Sequence, residues 1–132
     1  MSVNIKSPDA ATTVPGNPLV VVVHYNTLFA FIPPWVLRQA DDLAGTTYQL
    51  ECLVTRLDAP GTWRQTVTVG STGSAGADFT FNFYDTDGSP IPNGTYEIDA
   101  NFWLVTSLFG GTIMLSTPFG SDSHNPVYVQ TT

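Results

Sequence analysis

The sequence has little with which to grip a charged or reactive ligand. One lysine, Lys6, and three scattered arginines, Arg38, Arg56 and Arg64, stand against eleven acidic residues, for a net charge of −7. Nucleic-acid binding needs cations gathered on one face, and anionic bilayers attract polybasic segments, so neither partner is expected. A single cysteine, Cys52, excludes an internal disulfide. No C-x-x-C or H-x-x-x-H spacing joins it to the two histidines, His24 and His124, as a zinc site requires. No apolar run approaches the roughly 20 residues of a membrane span. The N-terminal MSVNIKSPDAATTVPGN lacks the apolar core of a cleavable leader. The chain is therefore expected to stay in the cytoplasm, or to be exported and assembled without a leader.

Charge itself is scarce. Ionisable Asp, Glu, Lys and Arg make up 11% of the 132 residues, against roughly 25% in an average globular domain. Thr, Ser, Asn and Gly supply the polarity instead, which suits a β protein whose outer faces are packed, polymerised or coated. The length fits one domain. Residues 1–17, punctuated by Pro8, Pro15 and Gly16, read as a flexible arm ahead of a single domain over 18–132.

Within that domain the period is two. LVVVVHYN (19–26) is a β-branched run of the buried-strand kind. In TTYQLECLVTRLD, Tyr48, Leu50, Cys52 and Val54 share one face, and Asp58-Ala59-Pro60-Gly61 supplies a tight turn. Trp63, Val67 and Val69 then alternate with Arg64, Thr66 and Thr68, and Phe79, Phe81 and Phe83 line one face of DFTFNFY. GTYEIDANFWLV points Tyr96, Ile98, Ala100, Phe102 and Leu104 inward and Asp99, Asn101 and Trp103 outward. Residues 112–117 and 126–131 complete a set of about seven strands. The expected fold is all-β, an antiparallel immunoglobulin-like sandwich. Residues 28–45 admit two readings: a short helix near 34–44, with Pro34 at its first position and Gly45 beyond its end, or an extended loop interrupted by proline.

Few residues qualify for chemistry. Ser121, Asp122, Ser123 and His124 are too close in sequence for a triad, whose members come from distant segments. Cys52 alternates with core residues and reads as a small buried hydrophobe. No catalytic residue is assigned, and an enzyme is not expected. Asp85 and Asp87, beside Gly88, are the weak metal candidates. A calcium loop needs further oxygen ligands and a distal glutamate, and no acid follows until Glu97. Trp103, with Asp99 and Asn101 on its face, is the candidate carbohydrate-stacking surface, with packing as the competing role.

The stretch FYDTDGSPIPNGTYEIDA resembles the turn-and-strand hairpin of bacterial immunoglobulin-like modules, such as that of flagellar hook-capping proteins. The matching positions are Asp87, Gly88, Ile91, Pro92, Gly94, Thr95 and Tyr96, within about residues 79–104. The tryptophan that often precedes the turn in those modules is replaced by Phe83 and Tyr84. The resemblance implies an immunoglobulin- or fibronectin-like fold and a non-catalytic, architectural role.

Apolar residues are in excess outside the clean strands. Phe29, Phe31, Ile32, Trp35 and Leu37 form either a partner surface or a second small core under residues 28–45. The expectation is a structural or assembly protein acting through protein contacts and forming a homo-oligomer, with no cofactor. The alternative is a carbohydrate-binding module, calcium-assisted through the Asp85–Gly88 turn.

Overall fold

A computed structural model describes residues 2–27, 47–72, 75–108, 111–114 and 120–131. Among them, nine strands form two sheets: β1 (Ser2–Ser7), β2 (Thr13–Pro15), β3 (Leu19–Asn26), β4 (Thr47–Arg56), β5 (Thr62–Val69), β6 (Ala77–Phe83), β7 (Gly94–Leu108), β8 (Gly111–Met114) and β9 (Gly120–Gln130). The smaller sheet has the order β1-β3-β6. The larger runs β2-β9-β7-β4-β5, with β8 beside β7, and is curled into a half-barrel. The protein is all-β in its described part. The segment expected as helix or loop over 28–45 lies outside the described residues.

Alternation explains which face of each strand is buried. From the smaller sheet, Val3 and Ile5, then Leu19, Val21, Val23 and Tyr25, then Phe81 and Phe83 point inward. Opposite them lie Tyr48, Leu50, Cys52 and Val54 on β4, Tyr96, Ile98, Ala100, Phe102 and Leu104 on β7, and Val127 and Val129 on β9. All belong to one contiguous core. Each large side chain so buried contributes about 1.5–3 kcal/mol. Phe102 joins the layers, stacking on Tyr48 at a centroid distance of 5.6 Å and meeting Tyr25 at 5.5 Å.

The N-terminal residues are not an arm. Val3 and Ile5 give β1 a short apolar alternation, and β1 pairs antiparallel with β3 along Ser2↔Asn26 to Ser7↔Val22, with a bulge between Ile5 and Ser7. The chain then changes sheets, and β2 pairs with β9 in parallel, Thr13↔Tyr128 to Pro15↔Gln130. The expected purely antiparallel arrangement therefore needs correcting at this edge. A polar side chain holds the crossover. Asp122 Oδ2 accepts the backbone N–H of Ile5 at 2.7 Å, across from β9 to β1. His124 Nδ1 lies 2.7 Å from the Pro8 carbonyl, so this nitrogen carries the proton.

The same contacts explain a second correction. Residues 120–125, rich in Gly, Ser, Asp and Asn, precede the strand expected over 126–131 yet open β9, because the long β7 offers a ladder from Gly94↔Val129 to Phe102↔Gly120. Gly16 marks the closest approach nearby. A Cβ there would lie 2.8 Å from the Ile91 carbonyl and 3.1 Å from Val129, so a side chain would force the backbone apart.

Candidate functional site

The two ends of the sheets differ. At one end, Tyr25 pairs with Ala77 and Thr47 pairs with Val105. Thr27, 5% exposed, exchanges hydrogen bonds with Thr72: its N–H donates to Thr72 Oγ1 at 3.0 Å, and Thr72 N–H donates back to Thr27 Oγ1 at 2.8 Å. The connection bearing Phe29, Phe31, Ile32, Trp35 and Leu37 leaves from Thr27 and returns at Thr47, so both its attachment points are at this end. Those five residues lie outside the described part.

At the opposite end sits the Asp85–Gly88 turn. A single 3-10 turn covers Thr86–Gly88, with Asp87 at φ 63° and Gly88 at φ 76°. Asp85 N–H donates to the Ser89 carbonyl at 2.9 Å, and Ser89 Oγ donates to the Thr86 carbonyl at 2.7 Å. Asp85 has a structural task as well: its Oδ1 accepts the Trp63 indole N–H at 3.3 Å. Among the described residues, no three His, Cys, Asp or Glu side chains gather as a cation site would need. The geometry here is that of a turn tied to a tryptophan.

Trp63 is half-buried and lies 5.8 Å from the ring of Tyr96. Gly61 permits this position, since a Cβ there would meet the indole Cη2 at 2.8 Å. Beside the indole opens a cleft of about 600 Å³, walled by Arg56, Pro60, Thr62, Tyr84, Asp85 and Pro92. Arg56 is fixed by Asp58 Oδ1 at 2.8 Å and by the Asn93 carbonyl at 2.9 Å. The Asp58 hydrogen bond raises the Arg56 pKa, and the same bond lowers that of Asp58. The cleft has no local sequence signal, because Asp85 and Trp63 are 22 residues apart, one just past β6 in the smaller sheet and the other on β5 in the larger.

Trp103, Asn101 and Asp99 do lie on one outward face, as their spacing requires. Across β4 they oppose Gln49, Glu51 and Leu53. Asn101 Nδ2 donates to Glu51 Oε1 at 3.2 Å, and Arg64 Nε approaches Glu51 Oε2 at 3.4 Å. The three candidates thus share a surface on which Glu51 is already engaged by two neighbours.

The histidines bind strands together. His24 Nδ1 lies 2.6 Å from Asp78 Oδ1, while Lys6 Nζ donates to Asp78 Oδ2 at 2.9 Å, so one carboxylate links β1, β3 and β6. These partners lower the Asp78 pKa, Lys6 first and His24 second. His124, with Pro8 and with Asp122 Oδ2 at 3.7 Å, belongs to the sheet crossover. Cys52 is fully buried, and desolvation pushes its thiol up to about 12, with Asp99 and Glu51 adding to the rise. No family model matches the chain, and no curated protein matches it.

Proposed function

We propose that this chain is an immunoglobulin-like β-sandwich that works by contact, as a structural or assembly protein joining copies of itself. The fold assignment is supported by the strand order, with β1-β3-β6 facing β2-β9-β7-β4-β5 and the N-terminal segment contributing β1 to one sheet and β2 to the other. It is also supported by the tyrosine near the start of β7, whose hydroxyl bonds a carbonyl four residues upstream, a feature of such sandwiches. One observation carries the assembly reading: Thr27 and Thr47, which bound the connection containing residues 28–37, fall at the same end of the sheets. Loops at one end of a sandwich form a common contact surface, and the sequence of this connection contains Phe29, Phe31, Ile32, Trp35 and Leu37.

The non-catalytic reading draws support from the roles of the polar side chains. Both histidines and Asp78, Asp85 and Asp122 hold strands or turns in place. No cofactor and no nucleic-acid partner enter the proposal. The test is light scattering over a concentration series. Mass rising with concentration, and weakened by Trp35→Ser, supports assembly. A monomer at every concentration overturns it.

A second reading is favoured by the Trp103 surface, where an indole lies in line with Asn101 and Asp99. That arrangement fits carbohydrate, whose rings stack on aromatic faces while its hydroxyls take polar partners. Glycan-array binding that survives Trp35→Ser and is lost in Trp103→Ala would support it. An array without hits, with and without calcium, would remove it.

A further inference from the structure

Each sheet edge presents unpaired backbone groups to a potential partner strand, and proteins usually guard against this with proline, charge, bulges or short length. The described edges differ sharply in that protection. β2 has three residues and ends in Pro15. β1 carries Lys6 and a bulge, and Asp122 covers its Ile5 N–H. On β6, Asp78 is charged, and the Asn82 carbonyl already accepts Gln65 Nε2 at 2.6 Å. β5 is the least protected: it has no proline, bulge or acid, its one charge is Arg64, and its Gln65 side chain reaches the Asn82 carbonyl of β6. It runs eight residues, TWRQTVTV, without proline, glycine or acid, in unbroken register from Tyr48↔Val69 to Thr55↔Thr62.

We propose that β5 is a self-pairing edge, through which two copies of this chain join antiparallel about a two-fold axis to make one continuous sheet. The inference rests on the assembly reading above and names β5 as a contact strand. The occupant is a second copy because the strand is complementary to itself. With Gln65 on the axis, Trp63 opposes Val67 of the partner subunit on the inner face, and the reverse. Aromatic–β-branched pairs of this kind stabilise sheets. Both residues are only half-buried in one copy, so pairing covers apolar surface.

Charge selects the same strand and register. The chain carries −7, so most approaches of two copies are repulsive, but β5 has Arg64 as its one ionisable residue. In this register Arg64 opposes Thr66 of the partner subunit. Thr66 itself pairs with Glu51 on β4, so each guanidinium falls in the row of the other copy's Glu51. Arg64 Nε already lies 3.4 Å from Glu51 Oε2 of its own copy, so pairing would set each guanidinium between that carboxylate and the partner subunit's Glu51. A register with Arg64 on the axis would place like charges together and is disfavoured.

The test exploits the exposed Thr66 in the full-length protein, with dimer affinity read by sedimentation equilibrium. Thr66→Lys places a cation opposite Arg64 of the partner subunit at two symmetric positions, and a loss of affinity of about tenfold is expected. Thr66→Glu should tighten the dimer, more so at low salt. Within one copy the order reverses, because the new lysine faces Glu51 favourably and the new glutamate does not. Thermal unfolding therefore separates the two effects: the variant with the better-supported monomer must be the weaker dimer. Arg64→Glu combined with Thr66→Lys should restore association. If wild-type protein associates but Thr66→Lys and Thr66→Glu leave its affinity unchanged, β5 is not the interface and the assembly reading stands. If no association occurs at any concentration, both proposals fall.

Discussion

The Tyr96 hydroxyl donates a 2.6 Å hydrogen bond to the backbone carbonyl of Pro92, four residues upstream. Tyr96 is fully buried, so its ring anchors β7 in the core while its hydroxyl fixes the incoming chain. Removing the hydroxyl leaves a carbonyl with one partner fewer in a site that water reaches poorly. Tyr96→Phe is expected to cost about 1–3 kcal/mol, measured by urea unfolding with an unchanged denaturant slope.

Asp122 poses a similar problem where β9 meets β1. Its carboxylate is the acceptor for the Ile5 N–H and a neighbour of His124. Asp122→Ala should destabilise the protein by about 1–3 kcal/mol and speed amide hydrogen exchange across residues 2–7. Protection unchanged in that segment would show that β1 is held by its ladder to β3 alone.

Cys52 makes a kinetic prediction. The thiolate is the reactive form, and burial raises the thiol pKa to about 12. Native protein at neutral pH should resist thiol reagents and react stoichiometrically once unfolded. Reaction of the native state at the rate of a free thiol would contradict the burial.

Acid stability should follow Asp58 and Asp78, whose pKa values are both lowered from 3.8 by their cationic partners. A depressed folded-state pKa means that the stabilisation is fully present above the ordinary value and is lost as pH falls through the folded one. Unfolding free energy should thus decline below about pH 4, and the slope should become shallower in Asp78→Asn. Both groups are exposed, so the effect should shrink in high salt.

Much of this architecture was legible because alternation is a local signal. Residues 19–26 match β3 end to end, and Tyr48 through Val54 and Tyr96 through Leu104 are buried at every second position as their spacing demands. Legibility failed where strand identity comes from a neighbour. Only two apolar residues mark β1, and its place is secured by β3 and by Asp122, more than a hundred residues away. The start of β9 has turn-forming composition, yet the ladder of β7 overrides it. The Asp85–Gly88 stretch is legible as a turn, but its link to Trp63 depends on how the end of β6 in one sheet meets β5 in the other. The candidates Trp103, Asn101 and Asp99 followed from phase alone, whereas the cleft beside Arg56 and Tyr84 had no sequence signature.

The crossover of the first strand has a consequence for biosynthesis. Ile5 and Pro8 leave a ribosome more than a hundred codons ahead of Asp122 and His124, which hold them. Until then β2 has no β9 to lie against, and β7 lacks the neighbour that separates it from β2. The two sheets therefore cannot be joined through these contacts until β9 has been made, and the earlier strands must wait for it.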